Sequence, residues 1–237
     1  KDIHNSDIPV VCVACEARHG GVCSALSPSQ LAELSRHATR RTVDPGGEMI
    51  GQGEATKNYA NIIRGVVKLS KMLADGRQQI VGLQFAPDFL GRPFVRESAL
   101  SAEAATDIDI CAFPHTVIER LIAEVPSLER RLHEQALKEL DEARDWMLTL
   151  GRKTAQERVA SFLYLIATHV DPEKGIASEF DLPLSRADIA DYLGLTIETV
   201  SRQITKLRKD GVIRIENSRH VTVPAIERLR RCAGIDG

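Results

Sequence analysis

Thr196-Ile197-Glu198-Thr199-Val200-Ser201-Arg202-Gln203-Ile204-Thr205-Lys206-Leu207 is the stretch from which the rest of the chain can be read. Thr196 carries the hydroxyl of a helix N-cap, and Glu198 falls where the positive end of a helix favours a carboxylate. At about 3.6 residues per turn, Val200, Ile204 and Leu207 line one apolar stripe. Glu198, Ser201 and Arg202 share a polar face near the helix N-terminus. Arginine can bond bidentately to guanine, glutamate accepts from the cytosine amino group, and serine suits either role. A helix with such groups in its first turns is what a helix-turn-helix lays in the major groove.

The flanking residues supply the scaffold. Ser185-Arg186-Ala187-Asp188-Ile189-Ala190-Asp191-Tyr192-Leu193 reads as a helix with Ile189 and Leu193 inward and a small Ala190 where two helices approach. Gly194-Leu195-Thr196 is a three-residue turn, its Gly suited to a left-handed C-terminal position and its Thr capping the next helix. Gly211 to Ile215 and His220 to Val223 alternate like strands around Glu216-Asn217-Ser218-Arg219, a β-hairpin wing. From Arg202 to Arg231 there are nine Lys or Arg against three Asp or Glu. Thr196, Thr199, Lys206, Arg208, Lys209, Arg214 and Arg219 are placed to bind phosphates, which fixes register without reading sequence. A solvated helical hairpin with an ordinary charged face is the plainer alternative. Cap, turn, basic surplus and wing together favour DNA.

The chain has 237 residues, room for two compact domains, and its 43% hydrophobic content suffices for real cores. The net charge of −2 hides the basic C-terminal end. No apolar run reaches membrane-spanning length, no signal peptide opens the chain, and the first residue is Lys rather than Met. No membrane partner is expected, and the expected compartment is the cytoplasm. With 4% aromatic residues, stacking on single-stranded nucleic acid is disfavoured.

Five cysteines in such a chain suggest reduced thiols with metal or redox work to do. After a loose, polar lead (residues 1–11) come Cys12, Cys15 and Cys23, with Arg18, His19, Gly20 and Gly21 between them. The glycines let the loop wrap tightly, and Arg18 and His19 are placed to offset thiolate charge. A C-x2-C pair serves zinc sites and thiol redox motifs alike, and the spacing does not say which metal. A fourth ligand must come from elsewhere. Cys111 is the candidate, although alone it would read as a small apolar strand residue. Cys232, in a basic C-terminal helix, is incidental.

Leu26 to Ala38 reads as a short helix. From Arg40 to Pro114 the texture is short strands and turns, including a strand pair or a strand broken at Gly65 and an Asp75-Gly76 hairpin between Val66–Leu73 and Gln78–Phe85. This pattern predicts a double-sheet jelly roll. A cupin-type metalloenzyme would need clustered His ligands, but His4, 19, 37, 115, 133, 169 and 220 are scattered, so no enzyme is expected. From Val117 the period becomes helical. A helix of about six turns runs from Ser127 to Leu150, with Leu128, Leu132, Ala136, Leu140, Ala143 and Met147 as an apolar seam for two-stranded pairing. A two-fold dimer would suit a palindromic operator. Gly151-Arg152-Lys153-Thr154 follows as a hinge, then a helix from Gln156 to His169.

In this order of parts the chain resembles the cyclic-AMP receptor / fumarate-and-nitrate-reduction superfamily of bacterial transcription regulators over nearly its whole length. The resemblance implies an α+β chain of four parts: a cysteine-rich segment (1–25), a β-roll sensory domain (26–126), a dimerisation helix (127–151) and a winged helix-turn-helix domain (152–237). Glu198-x-x-Ser201-Arg202 and Cys12-x2-Cys15-x7-Cys23 with distant Cys111 resemble the oxygen-sensing branch. In that branch four such cysteines hold an oxygen-labile [4Fe–4S] cluster, and the Glu, Ser and Arg read a palindrome of TTGAT half-sites. The implied ligands are Cys12, Cys15, Cys23 and Cys111, and the implied partners are double-stranded DNA, RNA polymerase and a second copy of the chain. The x7 interval departs from the x5 of the best-known members. The nitrogen-fixation regulator branch shares the DNA-reading residues but lacks the cysteine cluster, leaving zinc or thiol redox control as the alternative. Where cyclic-nucleotide relatives carry a phosphate-binding Glu and Arg, this sequence has Arg92 and Glu103. The carboxylate of Glu103 is expected to repel an anionic nucleotide.

Overall fold

The computed structural model describes residues 8–170 and 175–235, so that His4 and the rest of the 1–7 lead lie outside it. Two compact units emerge: the chain up to Met72 together with Leu83–Leu140, and Leu73–Gly82 together with Asp141–Gly237.

The first unit opens with two helical turns, α1 (Val10–Val13) and α2 (Glu16–His19), a 3-10 turn at Val22–Ala25, and α3 (Pro28–His37). α3 starts two residues later than the apolar spacing suggested, because Ser27 accepts from the Gln30 amide while the Gln30 side chain accepts from the Ser27 amide at 2.8 Å. That reciprocal box defines the helix start and leaves Leu26 outside. Eight strands follow: β1 (Thr39–Val43), β2 (Glu48–Ile50), β3 (Asn58–Arg64), β4 (Val66–Met72), β5 (Gln78–Phe85), β6 (Phe89–Leu90), β7 (Ser101–Ala104) and β8 (Ile108–Pro114). They form two four-stranded sheets, ordered β1-β8-β3-β6 and β2-β7-β4-β5. This is the expected antiparallel roll.

Gly65 separates β3 from β4 at φ +97°, where a Cβ would meet the Asp107 carbonyl oxygen at 2.5 Å. Ile62, Val67, Ile108 and Ile110 fill the space between the sheets. A second apolar cluster joins the roll to helices: Leu31, Leu34, Tyr59 and Phe113 pack with Ile118 and Leu121 of α4 (His115–Glu124) and Leu128 of α5 (Pro126–Arg152). Each such side chain contributes on the order of 1.5–3 kcal/mol of transfer free energy.

α5 has 27 residues and is longer than the sequence reading allowed. Pro126 occupies its first position, where the missing N–H costs nothing, and the helix continues through Gly151 and Arg152. The hinge therefore shrinks to Lys153-Thr154. The apolar seam is also corrected at its start. Leu128 is 1% exposed inside its own core and Leu132 packs at the edge of the same cluster, whereas Ala136, Leu140, Ala143 and Met147 are exposed. Leu137 and Leu148 widen that exposed band.

In the second unit Thr154 caps α6 (Ala155–His169) with Glu157 as its box partner. β9 (Glu179–Asp181), α7 (Arg186–Leu193), α8 (Ile197–Lys209), β10 (Arg214–Glu216), β11 (His220–Thr222) and α9 (Ile226–Cys232) complete it. The wing has three strands in the order β10-β11-β9. β9 escaped the sequence reading because its three residues carry a single buried side chain, Phe180, and no alternation can show in so short a run. Trp146, near the end of α5, stacks on Tyr192 at 4.3 Å between ring centroids, and Phe162 meets the same ring edge-on at 6.2 Å. Among the described residues no helix is long and apolar enough to cross a membrane.

Candidate nucleic-acid interface and cysteine site

α8 is held from beneath and open above. Val200 and Leu207 are fully buried and Ile204 is 5% exposed, so the stripe fixes the rotation of the helix. Gly194 ends α7 at φ +60°, a left-handed conformation that glycine adopts without strain. Ser185 caps α7 with Asp188 in return, and Thr196 Oγ1 accepts from the Thr199 amide at 3.2 Å. Glu198, Ser201 and Arg202 are all exposed on the opposite face. The Glu198 carboxyl is held below its ordinary pKa by its own backbone amide and by the Thr196 hydroxyl, as a carboxylate at a helix N-terminus should be. Arg202 Nη2 lies 3.5 Å from Thr199 Oγ1, which leans the guanidinium toward the helix start.

Ser201, Arg202, Thr205, Lys206, Lys209 and Asp210 line an open groove of ≈ 420 Å³. Arg208, Arg214 and Arg219 are exposed as well. Arg219 Nε donates to the Leu182 carbonyl at 3.0 Å, so part of that guanidinium is spent on the wing. Two residues that sequence reasoning did not single out shape this face. Thr205 stands in the groove, and Arg186 donates to the Ser218 carbonyl at 3.0 Å, tying the wing turn to α7. That turn is tight: Asn217 and Ser218 both have positive φ.

The cysteine site is assembled by strand register. Cys111 in the middle of β8 is flanked by Arg40 on β1 and Asn61 on β3, directly across the sheet. Arg40 donates both to the Cys111 sulfur and to the carbonyl of Val11 in the N-terminal segment. Asn61 Nδ2 donates to Cys23 Sγ at 3.2 Å. The row Arg40–Cys111–Asn61 is therefore a platform on which the cysteine segment sits. No local pattern in the sequence marks Arg40 or Asn61.

The four thiols lie near enough to one another to interact electrostatically. Burial pushes the Cys23 thiol up to about 12, with the charges of Cys15, Cys111 and Cys12 adding to the rise and the Asn61 bond opposing it. Cys111 is pushed up to about 11, again by burial first and then by Cys15 and Cys12, against Arg40. Cys12 is raised by burial and by Cys15, while Arg40 and Arg18 oppose. Such sulfurs carry protons at neutral pH unless a cationic group replaces them. Of the two basic residues expected to offset thiolate charge, Arg18 is buried beside the thiols and His19 is exposed.

A four-cysteine donor set is the kind that holds a [4Fe–4S] cluster, and here three of the four precede the roll while Cys111 lies on its last strand. Among the described residues no group of three or more His, Cys, Asp or Glu is placed to hold a metal ion, so the four cysteines match such a group by donor type alone.

The stretch from Cys15 to Ala25 is fastened at several points. A Cβ on Gly21 would lie 2.7 Å from the Pro87 carbonyl oxygen and 2.9 Å from Ala17, so this close approach admits only glycine. From α5, Arg131 donates to the Gly20 carbonyl and Ser127 to the Ala25 carbonyl at 2.9 Å. Glu103 does not sit where the sequence placed it. Ala102 and Ala104 point inward, 2% and 1% exposed, whereas Glu103 pairs outward with Lys68 at 2.8 Å. It cannot be the group that repels an anion inside the roll.

Two family models match the chain, the Crp-like helix-turn-helix domain over residues 157–232 and the cyclic nucleotide-binding domain over 40–125. A probable transcriptional activator of Rhizobium leguminosarum bv. viciae is 66% identical over 94% of this chain and 93% of its own length. The transcriptional activator FnrL of Cereibacter sphaeroides is 41% identical, covering 97% of this chain and 96% of the relative. The nitrogen fixation regulation protein FixK of Bradyrhizobium diazoefficiens is 42% identical over 86% of each chain. The solved structure of FixK2 from Bradyrhizobium japonicum superposes with a TM-score of 0.75 at 34% identity, covering 82% of this chain and 96% of that one.

Proposed function

This chain belongs to the FNR/FixK-type transcriptional activators of the CRP/FNR superfamily, DNA-binding regulators rather than enzymes, and from that premise we propose that it is an oxygen-responsive member. It binds a TTGAT-type palindrome as a homodimer, with Cys12, Cys15, Cys23 and Cys111 holding a [4Fe–4S] cluster. The observation that carries this reading is the convergence of four buried or half-buried thiols on the Arg40–Cys111–Asn61 row, in a segment tied to the dimer helix by Arg131 and Ser127. The FnrL match spans 97% of this chain, which leaves too few unmatched residues to exclude Cys12 from it.

When bound, the cluster supplies an oxygen-labile cross-link between the N-terminal segment and β8. The chain's own residues do the rest. Arg131 and Ser127 carry the position of the cysteine loop to α5, so that the cluster biases how this helix pairs with its copy. Ala136, Leu140, Ala143 and Met147 present the exposed face through which two copies pair. The two-fold axis then sets two α8 helices about one helical turn apart, Glu198, Ser201 and Arg202 facing bases and Thr196, Thr199, Lys206, Arg208, Lys209 and Arg219 facing phosphates. RNA polymerase is the partner at the promoter, and the cytoplasm is where this takes place.

A second reading is a FixK-like regulator whose cysteines serve zinc or thiol redox control. The 42% identity to FixK favours it. Iron and acid-labile sulfide per chain, measured on protein purified without oxygen and again after air exposure, separate the two. About four of each, lost in air together with operator binding, is the expected result. Neither element, with tight palindrome binding in air, establishes the second reading.

A further inference from the structure

The polar face of α8 does not end at Arg202. Glu198, Ser201, Arg202 and Thr205 stand at i, i+3, i+4 and i+7, which is one face of a helix. Thr205 lines the groove beside Ser201 and Arg202 and is half-buried there, while Lys206 and Lys209 are exposed. At about 1.5 Å per residue it lies about 4.5 Å beyond Arg202 along the axis, a little more than one base-pair step of about 3.4 Å. With α8 in the major groove and Arg202 on one base pair, Thr205 therefore comes to the next.

The hydroxyl of Thr205 is already committed. Its Oγ1 donates to the Ser201 carbonyl, one turn back, at 2.9 Å. That bond spends the one proton the side chain can donate and holds its torsion, since a helical threonine otherwise divides between two rotamers. What is left for a base edge is chiefly the γ-methyl. In the major groove thymine alone presents a methyl, at C5, and apolar contact with it is a mode of reading that needs no hydrogen bond. Glu198, Ser201 and Arg202 offer hydrogen bonds instead, and Lys206 and Lys209 offer charge. We propose that Thr205 is a further base-reading residue, one that recognises a thymine through contact of its γ-methyl with the 5-methyl group, one base pair from the pair Arg202 reads. The inference rests on base reading by this face of α8, and on neither the cluster nor one operator sequence. In a TTGAT half-site both pairs beside the guanine carry a thymine, so that site satisfies it.

Duplexes bound by the full chain, purified without oxygen, are first selected from a random pool, so that a wrong operator and a wrong role for Thr205 are told apart. Each thymine of the selected site is then replaced in turn by 2′-deoxyuridine, which removes the 5-methyl and keeps every hydrogen-bonding group. At one position per half-site this should weaken binding by about fourfold, the worth of one buried methyl. Thr205→Ser keeps the hydroxyl and loses the methyl. It should bind the thymine duplex about fourfold more weakly and show no further loss with deoxyuridine at that position. Thr205→Val keeps a methyl and loses the hydroxyl, and should still discriminate. Indifference of the unaltered chain to every thymine methyl, or an undiminished deoxyuridine effect in Thr205→Ser, would overturn the assignment. So would loss of the effect in Thr205→Val, which would make the hydroxyl the reading group.

Discussion

The DNA-reading helix and the cysteine platform are built in opposite ways. In α8 the cap, apolar stripe and polar face follow from spacing along a single helix. The platform is made by register. Arg40, Asn61 and Cys111 belong to three strands, and only the antiparallel pairing of β1, β8 and β3 sets them side by side. The environments differ accordingly. The reading face is exposed and its carboxylate is stabilised by hydrogen bonds, whereas the Cys23 thiol is buried and its proton is held by desolvation. A reader of DNA must meet solvent and phosphate. In the proposed sensor, donors kept out of water hold their protons until a metal takes their place.

The largest effect that can break this comparison is at Cys111. Cys111→Ser should abolish iron retention, as should the same change at Cys12, Cys15 or Cys23, while Cys232→Ser in α9 should be silent. Iron at full stoichiometry in the Cys111 variant would remove β8 from the ligand set and leave the platform without a role. Arg202→Ala comes next. Losing a bidentate base contact should cost about 1–3 kcal/mol at the cognate site and blur one base position. Competition binding against a scrambled duplex reads the result. An equal loss on both duplexes makes Arg202 a phosphate contact, and the reading face then lies elsewhere on α8.

The same contrast explains what could be read from sequence. The double-sheet roll, the long helix and the winged helix-turn-helix were legible because each rests on local signals: Asp75-Gly76 in a hairpin, the period from Leu121 onward, the glycine turn before Thr196. Arg40 and Asn61 were not, since their importance arises only when strands many residues apart come into register. Periodicity places Leu128 in the seam because it marks an apolar face without saying what covers it. The structure puts that residue in its own core. Glu103 was misplaced for a similar reason. A strand alternates its side chains, and the parity that sends Glu103 to Lys68 is fixed by pairing with β4.

A smaller effect sharpens the division of labour within α8 itself. Lys206→Ala should weaken binding to cognate and scrambled duplexes alike and lower the slope of log affinity against log salt by about one. A loss confined to the cognate site would move Lys206 from the phosphate set to the reading set.

The smallest effect lies in the wing and tests whether exposure and hydrogen bonding govern that unit throughout. His220 on β11 sits 2.9 Å from Asp181 on β9, and that hydrogen bond is the main reason its pKa is raised above 6.5. The charges of Asp181, Glu179 and Glu216 add to it. A raised folded value means the imidazolium form favours the folded wing. Its contribution is complete below the unfolded pKa of about 6.5 and is lost as pH rises through the higher folded value. An NMR titration of the His220 ring should therefore give a midpoint above 6.5 in the native chain, falling toward it in Asp181→Asn. An unchanged midpoint in that variant would assign the shift to the carboxylates of Glu179 and Glu216. The wing strands would then be joined by diffuse charge, unlike the directed bonds that hold Glu198 on the reading helix.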